Sequence, residues 1–338
     1  MADNETINVI VAMEFAEELL SQAREVSPRL HIEKYAQTVP DKAWASAEIL
    51  FTTNVFPKPE QAPNLRWIQL CSAGANQIIN SPLASNENLE ITTASGIHAT
   101  PMSEFSLAMM LAFTYKLPQI LEFQTQATWI ADRTTVFLPT PLRGRTLGIV
   151  GYGNIGRELA RIADALGMIV LATKRDVMHP ADDDSYHEAG TGDPDGELPT
   201  RLYPPQALAS MARECDFLVI TTPLTDDTRH IVDANVLKAM KKTAVIVNVA
   251  RGAVIDEAAL IDALQNHRIG GAALDVFEQE PLPADNPLWK LDNVILSAHI
   301  SGSVIDYDER CAKVFVENLE RYLEGQPLLN RVHKSRGY

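Results

Sequence analysis

The stretch from Thr146 to Thr173, TLGIVGYGNIGRELARIADALGMIVLAT, constrains this chain more than any other. Leu147, Ile149 and Val150 form an apolar, partly β-branched run of the kind a buried parallel strand requires. Gly151, Gly153 and Gly156 follow in G-x-G-x-x-G spacing. Gly151 permits a tight turn, Gly153 lets the backbone approach a pyrophosphate, and Gly156 lets the next helix pack against the sheet. Leu159, Ile162, Ala163 and Leu166 share one helical face, Gly167 stops the helix, and Met168 to Ala172 is apolar again. Taken alone the glycine spacing is weak, and a ligand-free βαβ crossover is the plain alternative. Here strand, loop, helix and second strand occur in order. That context marks a dinucleotide site, with the helix N–H groups facing the phosphates.

A chain of 338 residues has room for two domains. It contains no uninterrupted apolar run of the roughly 18 residues a membrane helix needs. The acidic start MADNETINVIVAMEFAEE does not suit a signal peptide, so a cytoplasmic protein is expected. A net charge of −15 argues against nucleic-acid and anionic-membrane partners. Cys71, Cys215 and Cys311 are scattered, with no C-x-x-C, so neither a disulfide framework nor a metal site is expected.

Short apolar segments at 7–13, 30–35, 48–53, 66–71 and 89–93 read as strands separated by helical or turn segments, a parallel α/β unit without a phosphate fingerprint. The small residues of Cys71-Ser72-Ala73-Gly74-Ala75-Asn76 top one of these strands and leave N–H groups for an anion such as a carboxylate, although a bare turn would look the same. Pro101 to Tyr115 reads as an apolar helix whose Met-rich face suits a core. Trp129 to Arg145 reads as an irregular, subunit-contacting arm. A polar insert runs from about 181 to 200, with Asp182, Asp183, Asp184 and the run Gly190 to Gly196, and is expected to be solvated and mobile. Its spacing does not follow a calcium loop. Strands at 216–221, 244–249, 271–275 and 294–297 then complete a second doubly wound sheet, and 306–323 is an amphipathic helix expected to return to the first domain.

Three polar stretches end the late strands, on the edge where ligands bind in such sheets: Asn248–Gly252, Asp275–Pro283 and Ser297–Gly302. A histidine serves as acid or base near neutral pH, a neighbouring carboxylate orients it, and an arginine grips a substrate carboxylate in bidentate fashion. Singly, each has a bland reading as a salt bridge, a cap or a core histidine. Together on successive strand ends they point to chemistry.

The motifs GYGNIG, TTPLTDDTRHIV, AVIVNVARGAVIDEAAL, GGAALDVFEQEPLP and SAHISG make the chain resemble the D-isomer-specific 2-hydroxyacid dehydrogenase family over essentially its full length. The resemblance implies two parallel-sheet α/β domains, a Rossmann dinucleotide domain at 100–299 and a discontinuous flavodoxin-like substrate domain at 1–99 and 300–338, with the active site in the cleft. It implies Arg251 as the substrate carboxylate and carbonyl ligand, His299 as proton donor and acceptor, and Glu280 as the partner that orients His299. Gly151, Gly153, Asn154, Ile155 and Gly156 would hold the dinucleotide. Thr222, Pro223, Val249 and Ala250 would line it, and Asp275 would contact its nicotinamide end. Ala73 and Gly74 match the substrate-carboxylate loop, with Asn76 near the place of the family's usual aspartate. Position along such a fold puts Phe56, Ala75, Met102 and Tyr307 around the substrate, with Phe137 reaching in from a partner subunit. A homodimer through the nucleotide domain is also implied. Reduction would fade at higher pH as His299 loses its proton.

One departure concerns the coenzyme. NAD-using relatives end the second strand with an acidic residue that binds the ribose, whereas here Lys174 and Arg175 stand in that place and would attract a 2′-phosphate. NADP(H) is therefore the expected coenzyme. NAD(H) stays open, because these charges can simply be solvated and Asp176 could serve an NAD ribose. The leading reading is a reductase of glyoxylate, hydroxypyruvate or a related 2-oxo acid. The alternatives are a phosphoglycerate dehydrogenase-like enzyme, disfavoured by the absence of an appended regulatory domain, and a non-catalytic nucleotide sensor of the corepressor type. A formate dehydrogenase would carry Gln in place of Glu280.

Overall fold

The segment INVIVA forms β1 (Ile7–Ala12), apolar and buried along nearly its whole length, as a strand covered on both faces must be. With β2 (Leu30–Lys34), β3 (Ile49–Thr52), β4 (Trp67–Leu70) and β5 (Glu90–Thr92) it makes an all-parallel sheet of order β2-β1-β3-β4-β5. This is the flavodoxin-like order. The helix Tyr307–Glu324 inserts Cys311, Val314, Phe315 and Leu319 into the same core, and Phe315 stacks on Phe51 with ring centroids 4.3 Å apart. Its buried Asn318 donates through Nδ2 to Gln69 Oε1, which also accepts from Thr92 Oγ1. No polar side chain in that patch goes unpaired.

This computed structural model describes residues 6–182 and 184–334; Asp183 of the insert and the acidic start Met1–Glu5 lie outside the described residues. The chain divides into two units, Met1–Ile97 with Asp184–Glu188 and Val304–Tyr338, and His98–Asp183 with Ala189–Ser303. The second unit is therefore not the uninterrupted 100–299 that the sequence suggested. Five residues of the insert pack with the first unit: Tyr186 lies against its core and donates its N–H to Asn330 Oδ1, and Glu188 pairs with Arg310 at 3.0 Å.

In the second unit, β6 (Thr146–Val150), β7 (Ile169–Thr173), β8 (Arg201–Tyr203), β9 (Phe217–Ile220), β10 (Val245–Asn248), β11 (Gly271–Leu274) and β12 (Val294–Leu296) form a parallel sheet of order β12-β11-β10-β9-β6-β7-β8. Counted within the unit this is the doubly wound 3-2-1-4-5-6 order with one strand added. Register decides where the chemistry goes. Val150, Ile220, Asn248, Leu274 and Leu296 pair in one row across five strands, so the residues that follow each of them emerge at one carboxyl edge.

Two elements differ from the sequence reading. β8 is three residues long, too short to show a period. The helix Leu117–Thr125 begins with a proline in its first turn and leaves Leu117, Ile120 and Leu121 exposed, so it carries no buried face from which to read it. The insert is not simply solvated. Gly196 is buried against Pro180, and Asp193, 7% exposed, is held against the helix Asn154–Ala165 and its entry loop. Among the described residues no helix is long and apolar enough to cross a membrane, and no three metal-ligating side chains cluster. Cys71, Cys215 and Cys311 are buried free thiols, and burial pushes that of Cys215 up to about 12.

Candidate active site

The glycine loop leaves β6 at Val150, and each of its glycines meets a different demand. Gly151 has φ +102, and a Cβ there would lie 2.8 Å from the Thr222 backbone. Its N–H donates to Thr173 Oγ1 and its carbonyl accepts from Thr221 Oγ1, so β7 and β9 fix the turn. A Cβ on Gly156 would come 2.5 Å from the Gly151 carbonyl, the close helix–strand approach expected of the third glycine. At Gly153 a Cβ would meet no protein atom within 4 Å. The protein itself leaves open space at this position. The helix Asn154–Ala165 starts at Gly153 with no side-chain cap, leaving first-turn N–H groups for an anion. These features fit a dinucleotide pyrophosphate.

Lys174 follows β7 directly, and its Nζ donates to the carbonyls of Pro180 and Ala181 at 2.8 and 3.0 Å, leaving one donor of the ammonium. Burial, followed by the nearby Arg157 charge, lowers its pKa. Arg175 is exposed. Asp176 turns to His179, with a 2.7 Å ion-pair distance, and this hydrogen bond lowers its pKa.

Three further strand ends complete the edge. After β10, the buried Asn248 accepts from the Ala250 N–H and donates to the Arg251 carbonyl, closing a turn that presents the exposed Arg251 side chain. Arg251 Nη1 donates to its neighbour's carbonyl, Ala250 O, at 2.7 Å. Val249 and Ala250 are buried beneath it, and Thr222 and Pro223 follow β9 on the same edge.

After β11 comes Asp275, fully buried. Burial raises its pKa, but hydrogen bonds from Ser297, Ser301 and Ile300 outweigh this and leave the net pKa below the usual carboxylate range. Its two oxygens accept from Ser297 Oγ (2.6 Å), Ile300 N (2.9 Å) and Ser301 N (2.8 Å). Its backbone carbonyl accepts from His299 N–H. Asp275, implied as a nicotinamide contact, therefore also shapes the turn that carries His299.

His299 itself sits at φ +55. Its Nδ1 lies 2.7 Å from Glu280 Oε2, while Glu280 Oε1 accepts the Phe277 N–H at 3.0 Å. A carboxylate beside Nδ1 favours a proton on that nitrogen. Both side chains stay partly open, 47% for His299 and 36% for Glu280.

In the first unit, the loop after β4 is pinned by Ser72 Oγ donating to Gly74 O (2.9 Å) and by Tyr307 Oη donating to Cys71 O (2.8 Å). Ala73 is exposed and Gly74 half-buried. Tyr307, expected beside the substrate, spends its hydroxyl on this loop. Met102 lies in the core of the second unit with Ile149 and Leu159. Asn248, Thr221, Thr173 and Ser297 carry supporting roles that no motif spacing announces; their polarity at the ends of buried strands was the one available signal.

Comparison with known proteins places the fold in a family. The family pattern "D-isomer specific 2-hydroxyacid dehydrogenase, NAD binding domain" matches residues 107–301. The glyoxylate reductase of Korarchaeum cryptofilum is 33% identical over 276 residues, 81% of this chain and 78% of that protein. A D-isomer specific 2-hydroxyacid dehydrogenase family protein from Aeromonas salmonicida superposes with TM-score 0.77 at 31% identity, covering 98% of this chain and 100% of that one. A D-isomer specific 2-hydroxyacid dehydrogenase from Xanthobacter autotrophicus, solved with NADPH and MES, gives TM-score 0.78 at 25% identity over 99% of this chain and 100% of that one. This chain belongs to the D-isomer-specific 2-hydroxyacid dehydrogenase family.

Proposed function

We propose that this protein reduces a small 2-oxo acid of the glyoxylate or hydroxypyruvate type to the D-2-hydroxy acid, with NADPH preferred over NADH. The observation that carries the reading is the His299–Glu280 pair at 2.7 Å, formed by the segments after β12 and β11, on the same sheet edge as Arg251 after β10. The Korarchaeum relative, named a glyoxylate reductase, supports the substrate class, and the Xanthobacter structure, solved with NADPH, supports the coenzyme.

The bound dinucleotide supplies the hydride. Arg251 binds the substrate carboxylate and polarises the adjacent carbonyl. Protonated His299 gives its Nε2 proton to the forming alkoxide, and Glu280 stabilises the imidazolium while fixing the ring. Gly151, Gly153, Asn154, Ile155 and Gly156 bind the phosphates. Arg175, with the remaining donor of Lys174, would hold a 2′-phosphate, and the pairing of Asp176 with His179 occupies the carboxylate that would favour an NAD ribose. The exposed Leu117, Ile120, Leu121, Trp129 and Leu138 support a homodimer formed through this unit.

The coenzyme reading is tested by initial rates of glyoxylate reduction. Replacing Lys174 and Arg175 together by Ala lowers kcat/KM with NADPH by roughly 10- to 100-fold, the scale of one or two lost charge-assisted phosphate contacts, and changes the NADH value little. An unchanged ratio of the two coenzymes would contradict it.

A further inference from the structure

The acidic insert makes its tightest contacts at the glycine loop. Tyr152 stands between Gly151 and Gly153, its ring is 4% exposed in the core, and its hydroxyl donates to Asp193 Oδ2 at 2.5 Å. Asp193 reaches this point from 41 residues further along the chain, its carboxylate anchored by the N–H groups of Glu197 and Leu198 at 3.1 Å. Burial, and then the bond to Asp193, pushes the Tyr152 pKa far above the usual range, so the hydroxyl keeps its proton and remains the donor. Arg157, one turn into the following helix, is fully buried with its guanidinium carbon 4.8 Å from the Tyr152 ring centroid. Its two terminal nitrogens donate to the carbonyls of Asp193 and Pro180, and Nε lies 3.6 Å from Asp182. Next to it, the buried Glu158 accepts the Gly192 N–H at 2.7 Å.

We propose that Asp193 is a positioning residue for dinucleotide binding: through Tyr152 and Arg157 it fixes both flanks of the loop around Gly153. The backbone there must present its N–H groups in one arrangement for the pyrophosphate. The bond from the Tyr152 hydroxyl to a buried acceptor gives the loop a fixed point, and loss of either partner removes it. The insert supplies that acceptor. The same segment, through Pro180 and Ala181, also holds the Lys174 ammonium, so one structure sets the phosphate loop and the charge beside it. The proposal rests on the reading of this loop as a dinucleotide site.

The test is calorimetric titration of the full chain with NADPH and with NADH, for the wild type, Asp193→Asn and Tyr152→Phe, together with kcat at saturating coenzyme and thermal unfolding without coenzyme. Tyr152→Phe keeps the ring over Arg157 and removes only the donor. The expected result is a rise of about tenfold in the dissociation constant for the coenzyme in both variants, the scale of one lost hydrogen bond to a charged group, with kcat at saturation within about twofold of wild type. If Asp193→Asn does not fold, Tyr152→Phe decides alone. Unchanged coenzyme affinity with a lowered unfolding midpoint would make the tether structural only and overturn the proposal. A wild type that binds neither coenzyme would overturn the dinucleotide reading itself, and the proposal with it.

Discussion

Replacing His299 by Asn lowers kcat for 2-oxo acid reduction by roughly 10²- to 10⁴-fold while the affinity for coenzyme stays within about twofold, because only the proton transfer is removed. Asn is the informative substitution. His299 lies at φ +55, in the left-handed region that Asn tolerates and Ala resists, so the backbone turn survives the change. The turn is also held independently of the imidazole, since Asp275 accepts the N–H groups of Ile300 and Ser301 and its carbonyl accepts that of His299. Glu280→Gln is the companion. The amide can still accept from Nδ1 while the negative charge that supports the imidazolium is lost. A smaller fall in kcat is therefore expected. A His299→Asn enzyme that retained its rate would remove this histidine from the chemistry.

The second large effect concerns Gly252, next to Arg251. A Cβ there would sit 1.8 Å from the Phe277 carbonyl carbon, 2.1 Å from its oxygen and 2.3 Å from Glu278 N. These atoms are backbone, so no rotamer change relieves the clash; the turn bearing Arg251 or the loop bearing Glu280 must move. Gly252→Ala is expected to cost about 3 kcal/mol or more, a fall of roughly 10 °C in the unfolding midpoint, and to lose most activity in whatever remains folded. Gly153→Ala makes the contrast. Its Cβ meets nothing in the protein, so the unfolding midpoint holds while coenzyme affinity falls. Thermal unfolding and coenzyme titration of the two variants check both halves. Equal midpoints for Gly252→Ala and wild type would show that the loop accommodates the methyl group.

The contrast between these glycines indicates what sequence can and cannot convey. The G-x-G-x-x-G spacing and the apolar runs of β6, β7, β9, β10 and β11 were legible because fully buried parallel strands read as continuous hydrophobic segments. The polar stretches that hold Arg251, Glu280 and His299 were legible at strand ends, which register brings to one edge, while the choice of these three residues came from the family resemblance. The supporting layer was not legible. Asn248 and Asp275 act through the turns they close, and a turn's hydrogen bonds depend on atoms that no periodicity encodes. The insert was misread for a related reason. Its acidic, glycine-rich composition is that of a solvated loop, yet Asp193 finds buried partners in Tyr152 and Arg157, whose own need for them is invisible in sequence. The helix Leu117–Thr125 shows the converse: its apolar residues face outward, so the pattern that normally reports a core reports an exposed surface instead.

The measurement that bears most directly on the central claim is the initial rate of coenzyme oxidation by the purified wild-type chain with glyoxylate, hydroxypyruvate, pyruvate and phenylpyruvate, each with NADPH and with NADH. The account predicts turnover of glyoxylate or hydroxypyruvate, faster with NADPH. Coenzyme binding without turnover of any of the four acids would contradict it and favour a nucleotide-sensing role for the same fold.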